Sequence, residues 1–170
     1  MSVDARLRKL RQQPMIETRA GAESLSEQPS LLSQLLPHRG PMLLVDQLVG
    51  WHREQQWMVG HRHIYDAHMG LDGHFPDDPV LPGTLLLEML GQVGVALFVM
   101  LLNQEMSRGA FEVRATKIKG AHFMREVRPG DDVELVVRAL EYDTLLGECE
   151  AQALVDGRVM AVMMGEVMVM

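Results

Sequence analysis

Gly73-His74-Phe75-Pro76-Asp77-Asp78-Pro79-Val80-Leu81-Pro82-Gly83, followed at once by the apolar segment Thr84 to Leu102 with Glu88 as its one acid, decides how this chain folds. Three prolines and two glycines set the path of the loop, because each proline locks its own φ and drives the residue before it toward extended backbone. Thr84 to Leu102 is apolar on every side, which in a soluble chain of this size marks a helix wrapped by other structure rather than one lying on a surface. Gly91 and Gly94 each cost about 1 kcal/mol relative to Ala in a helix interior, so the pattern predicts a sheet or second helix in close approach on that face. Glu88 falls within the first two turns, where an ionised carboxylate would be badly solvated. A carboxyl kept there is a candidate acid.

Working outward, Leu31 to Leu36 reads as a short helix stopped by Pro37, Met42 to Val49 as a strand, and Trp51 to Tyr65 as a second strand paired with it. Beyond the helix, Glu112 to Phe123, Asp132 to Glu141, Leu145 to Val155 and Val159 to Met170 are rich in strand formers and separated by turn signals. Asp156-Gly157 between two such runs is a hairpin signal, and consecutive hairpins pair antiparallel. The expected class is α+β, a curved antiparallel sheet wrapped around one long buried helix. Residues 1–30 are polar, punctuated by Pro14 and Pro29, and read as a flexible or loosely helical extension. The domain proper is expected over 31–170. No internal repeat and no Gly-rich phosphate loop is found.

The 170 residues suit one domain with a sizeable core. A formal charge of -7 argues against nucleic acid as the main partner. One segment departs from this: Arg108, Arg114, Lys117, Lys119, Arg125 and Arg128 against Glu112 and Glu126 give it +4, leaving -11 for the rest. It is either a solvated strand face or a docking site for an acidic partner. The single cysteine, Cys149, excludes an intramolecular disulfide and fits a reducing compartment, and its neighbours Glu148 and Glu150 disfavour a thiolate. No secretory signal is expected at the N-terminus, and the run Val93 to Leu102 is far short of a membrane span. A cytoplasmic protein with no membrane partner is the expectation.

His61, His63 and His68 invite a metal reading, but no cysteine or spaced carboxylate set accompanies them in sequence, so no metal site is assigned. His38 and Arg39, between Pro37 and Pro41, suit a turn-and-packing role. Fourteen methionines, five of them after Val159, fit either core filling or a flexible lining for an acyl chain.

Leu36-Pro37-His38-Arg39-Gly40-Pro41-Met42-Leu43-Leu44-Val45-Asp46, the loop Gly73 to Gly83 with Glu88 and Gln92, and Lys119-Gly120 through Val127-Arg128-Pro129-Gly130-Asp131 together resemble the 3-hydroxyacyl-acyl carrier protein dehydratases of fatty acid synthesis. The resemblance runs over roughly 31–170 and implies the hotdog fold. It implies that His74 is the base and Glu88 the acid, that the Gly83 amide holds the thioester oxygen, and that Phe75 and Gln92 belong to the substrate site. It also implies a homodimer, or a higher oligomer of dimers, acting on an acyl carrier protein without cofactor. Lys117, Lys119 and Arg125 are the residues expected to dock that carrier.

Physical chemistry reaches the same roles. Removing a proton beside a thioester carbonyl and expelling hydroxide from the next carbon requires one group to accept and another to donate. Imidazole suits the first task, a carboxyl in an apolar cavity the second, and an unpaired N–H at a helix start the developing oxyanion. Gln92, four residues past Glu88, shares its helix face. Two departures from the family pattern, Gly40 in place of an aromatic and Asp77-Asp78 in the loop, are compatible with a relative serving a specialised lipid or polyketide pathway. The alternatives are a hotdog thioesterase and a non-catalytic subunit that binds acyl carrier protein. An isomerising dehydratase would resemble a pattern with Asp where Glu88 stands.

Overall fold

From the N-terminus the chain forms helix α1 (Val3–Leu10), strand β1 (Glu23–Ser24), helix α2 (Leu31–Leu35), a 3₁₀ turn at Gly40–Met42, and strands β2 (Gln47–His52) and β3 (Trp57–His63). The long helix α3 (Gly83–Met106) follows, then strands β4 (Val113–Phe123), β5 (Asp132–Tyr142), β6 (Leu146–Val155) and β7 (Arg158–Val169). This computed structural model describes residues 1–28, 30–65, 71, 73–106 and 112–170, with 104–106 by backbone alone. His68 and Arg108 lie outside the described residues.

All seven strands join one antiparallel sheet in the order β1-β2-β3-β5-β6-β7-β4, curved around α3. Strand alternation puts Val133, Leu135 and Val137 of β5 in the same core as Met89, Leu90, Val93, Leu97 and Phe98 of α3, all fully buried. Burying each such large side chain stabilises the fold by about 1.5–3 kcal/mol relative to leaving it exposed. The stretch Gly83–Asn103 is in fact long and apolar enough to cross a membrane, contrary to the shorter run read from sequence, but 72% of it is buried inside the fold.

The sheet's other face is apolar too, with Trp57, Val59, Val136, Leu154, Val162 and Met164 forming a second core. Here the expectation for residues 1–30 needs correction. Leu7 and Leu10 of α1 are buried on this face, and Gln152, fully buried, donates to the Leu10 and Gln13 carbonyls at 2.5 and 2.9 Å and accepts the Met15 N–H at 2.6 Å. Arg6 pairs with Glu150 at 3.2 Å. A sheet apolar on both faces needs cover on both, and this segment supplies it. At Gly120 a Cβ would stand 2.7 Å from Leu7 Cδ1, so any larger residue there would make the Leu7 side chain shift.

Two strand expectations also change. Met42 lies in the 3₁₀ turn and β2 begins only at Gln47, because Met42 O and Leu44 N are bonded by the Gln92 side chain instead of a neighbouring strand. The turn at Pro129-Gly130-Asp131 is no hairpin: β4 pairs with β7 at the sheet edge, while β5 pairs with β3 and β6. Asp156-Gly157 does join β6 to β7 tightly, with φ of 49° and 72°, as a two-residue turn between right-twisted strands requires.

Candidate active site

The loop from Gly73 is anchored at several points. Arg128, in the β4–β5 connection, donates to both carboxylate oxygens of Asp78 at 2.5 and 3.2 Å, and Leu81 N–H bonds Val127 O at 2.7 Å. Asp78, one of the two acids that depart from the family pattern, is thus the loop's tie to the sheet, and the Arg128 guanidinium holds its carboxyl below the usual range. Asp78 N–H closes a turn on Phe75 O at 2.9 Å. Phe75 has φ of 58°, a left-handed conformation that a bulky residue adopts only where its surroundings impose it. Its exposed ring packs on that of His74, with centroids 4.3 Å apart.

His74 Nδ1 lies 2.7 Å from Val80 O. A carbonyl oxygen only accepts, so Nδ1 carries the ring proton and Nε2 presents its lone pair. This is the tautomer a base needs. Five residues of the loop separate the imidazole from its carbonyl partner, and the prolines among them make that contact rigid.

Gly83 opens α3, and its N–H has no hydrogen-bond partner among the described residues, as helix geometry dictates for the first turn. A Cβ at Gly83 would stand 2.7 Å from the Phe123 ring, which sits over the helix start. A larger residue at the position that presents the free amide would displace that ring.

Glu88, one turn in, is not buried in its own chain: its side chain is 39% exposed. The desolvation expected from its apolar neighbours is incomplete because Thr84, Leu87, Glu88 and Gly91 line an open groove of about 190 Å³, with Ile118, Cys149 and Met163 opposite. Nothing lies within 4 Å of a Cβ built at Gly91, and at Gly94 the neighbours stand at an ordinary 3.8 Å. The close approach expected at these glycines is thus not made within the chain. At Gly91 the missing side chain keeps the groove open.

Gln92 is fully buried and donates to Glu88 Oε1 at 2.9 Å. His38 Nε2 lies 3.6 Å from the same oxygen, a contact that the turn-and-packing reading of His38 missed. The motif position was visible in sequence, but its pairing with a residue fifty positions away was not. His74 makes no ion pair or hydrogen bond with Glu88 among the described residues.

The basic segment is mostly neutralised. Lys119, expected as a docking residue, is engaged within the chain: it pairs with Glu148 at 2.7 Å and Glu166 at 3.4 Å, and the Glu148 hydrogen bond, with the Glu166 contact, raises its pKa. Arg128 pairs with Asp78 and Glu126, and Arg114 with Glu112. Arg125 donates to Val159 O at 2.7 Å, and among the described residues neither it nor exposed Lys117 has an ion pair. Burial, ahead of Glu148 and Glu150, pushes the Cys149 thiol up to about 12. That leaves it no thiolate near neutral pH.

His61 and His63 lie on one side of β3 with the Asp132 carboxylate, at 3.2 and 2.9 Å. The carboxylate missing from the local sequence comes from β5, and the His63 contact lowers its pKa. Among the described residues no group of three or more such side chains is arranged to hold a metal ion.

The family model of the FabA-like domain matches residues 36–163. The chain is 37% identical over 128 residues to the 3-hydroxyacyl-[acyl-carrier-protein] dehydratase FabZ of Bacillus cereus (strain AH820), covering 75% of this chain and 85% of that protein. To the protein of the same name from Xanthomonas euvesicatoria pv. vesicatoria (strain 85-10) it is 34% identical over 132 residues, covering 78% and 86%. A chain of the dehydratase heterocomplex ApeI:P from Xenorhabdus doucetiae shares the fold at a TM-score of 0.66 and 16% identity, over 81% of this chain and 89% of that one. With the match over residues 36–163 and the identity to the two FabZ dehydratases, the chain belongs to the FabA-like family and has its hotdog fold.

Proposed function

We propose that this protein is a hydro-lyase that converts 3-hydroxyacyl thioesters on acyl carrier protein to trans-2-enoyl thioesters and water, in fatty acid synthesis or a specialised lipid pathway. The observation that carries the reading is Glu88, set in the wall of an apolar groove one turn from the free N–H of Gly83. His74 Nε2 takes the proton beside the carbonyl, the Gly83 amide receives the enolate-like oxygen, and Glu88 gives its proton to the departing hydroxide. The elimination is redox-neutral. Phe75 walls the imidazole, and Gln92 orients the carboxyl.

Glu88 stays half-open and apart from His74 within one chain, which supports a homodimer in which each site takes its histidine from one protomer and its acid from the other. The second protomer would then supply the missing desolvation of Glu88. Lys117 and Arg125 remain to meet an acidic carrier, in a cytoplasmic setting. The test is product analysis with 3-hydroxyacyl carriers of several chain lengths. Enoyl absorbance with the thioester intact is expected, whereas free thiol release would indicate hydrolysis and binding without turnover a non-catalytic subunit.

A further inference from the structure

His38 leaves α2 in a turn that Arg39 clamps, with Nη1 donating to Leu36 O at 2.5 Å and His38 O at 2.7 Å, and Nη2 to Ser33 O at 2.8 Å. The imidazole is therefore carried on a fixed backbone. Its Nδ1 is buried without a hydrogen-bond partner among the described residues, and its Nε2 faces Glu88 Oε1 at 3.6 Å. A buried N–H left unpaired is rarer than a bare acceptor, so the ring proton sits on Nε2, toward Glu88. Gln92 is oriented without ambiguity: its Oε1 accepts Leu44 N–H at 2.9 Å, so its nitrogen gives one hydrogen to Met42 O at 2.7 Å and the other to Glu88 Oε1 at 2.9 Å.

Two N–H groups thus converge on one carboxyl oxygen. In a protonated carboxyl one oxygen accepts and the other carries the hydrogen. We propose that His38 is a positioning residue which, with Gln92, holds Oε1 of Glu88 as the acceptor and so places the acid's proton on Oε2, ready for the leaving hydroxyl. The proposal rests on Glu88 being the proton donor. At 3.6 Å the His38 contact is longer than a hydrogen bond, and in the proposed role it shortens as the substrate seats. The unpaired Nδ1 is what a packing role alone leaves unexplained.

The test is a double-mutant cycle with purified protein and a carrier-bound 3-hydroxyacyl substrate. His38→Ala should lower kcat about tenfold with KM within about twofold, and His38→Gln, which can still offer an N–H, should restore most of it. In a Glu88→Gln background, His38→Ala should change the residual turnover by less than about twofold, since its route of action is gone. If His38→Ala does not fold, His38→Leu, which fills the space without a donor, takes its place. Unchanged kcat, or the same tenfold loss in both backgrounds, would overturn the proposal while leaving Glu88 as the acid. Near-normal turnover of Glu88→Gln alone would instead overturn the acid assignment, and the positioning role with it.

Discussion

Asp78 and Arg128 join the loop that carries His74 to the β4–β5 connection through both carboxylate oxygens, at 2.5 and 3.2 Å. Both side chains are substantially exposed, so the pair adds little to global stability. Its effect is on where the base sits. Arg128→Gln should lower kcat on the order of tenfold through misplacement of the base, with an almost unchanged melting temperature. Asp78→Asn should do the same, and the double variant should be no worse than either single one. Steady-state rates and thermal melts check this, and additive losses would deny that the two act as a unit.

Glu88→Gln keeps the shape of the site but removes the transferable proton, and should cut turnover on the order of a hundredfold or more. His74→Ala should be at least as damaging, and added zinc should restore nothing. Turnover that tracked zinc content would redirect attention to His61, His63 and Asp132.

Mixing the two inactive variants examines the shared site. After random exchange in equal amounts, half the dimers are mixed and each holds one intact site, so roughly a quarter of wild-type activity should return under two-fold symmetry. Exchange must be verified by mass. Absence of recovery would place His74 and Glu88 in action within one protomer.

Reversing the charge of Lys117 and Arg125 should raise the KM for carrier-bound substrate, with an effect that fades as salt increases, and should spare a small thioester analogue. Equal effects on both substrates would remove the docking role.

Lys119 and the depressed aspartates act at opposite ends of the pH–stability curve, the aspartates only weakly because both are exposed. Pairing with Arg128 and His63 holds the Asp78 and Asp132 carboxyls below their ordinary 3.8, so their contribution is complete above that value and is lost as pH falls through the folded-state values. Glu148 and Glu166 raise Lys119 above 10.5, so its contribution is complete below that value and is lost as pH rises through the folded-state value. Lys119→Met should flatten the alkaline limb of a melting series and leave the acid limb alone. An unchanged alkaline limb would mean that the Glu148 and Glu166 contacts contribute nothing.

The apolar run around Glu88, the strand blocks after it and the Asp156-Gly157 turn were legible because each is a local pattern with one physical reading. What stayed hidden depends on partners distant in sequence. The N-terminal thirty residues look polar in composition, and only the apolar outer face of the sheet, with β4 and β7 under α1, reveals that Leu7 and Leu10 have somewhere to go. Gly91 read as a contact point because a helical glycine implies an absent side chain, and an absent side chain serves an open groove equally well. His38 and Glu88 meet through the packing of α2 against α3, so neither could announce the other.

Gln92 gives the chain a temporal property as well as a spatial one. Its carboxamide closes contacts with residues 48 and 50 positions earlier, and among the described residues the stretch it holds has no strand neighbour. A refolding chain can form α3 and the β5–β6–β7 meander from short-range contacts, but it must close that long loop before the carboxyl of Glu88 is oriented. Regain of turnover should therefore trail regain of helical signal, making enzymatic competence a readout of that long-range closure.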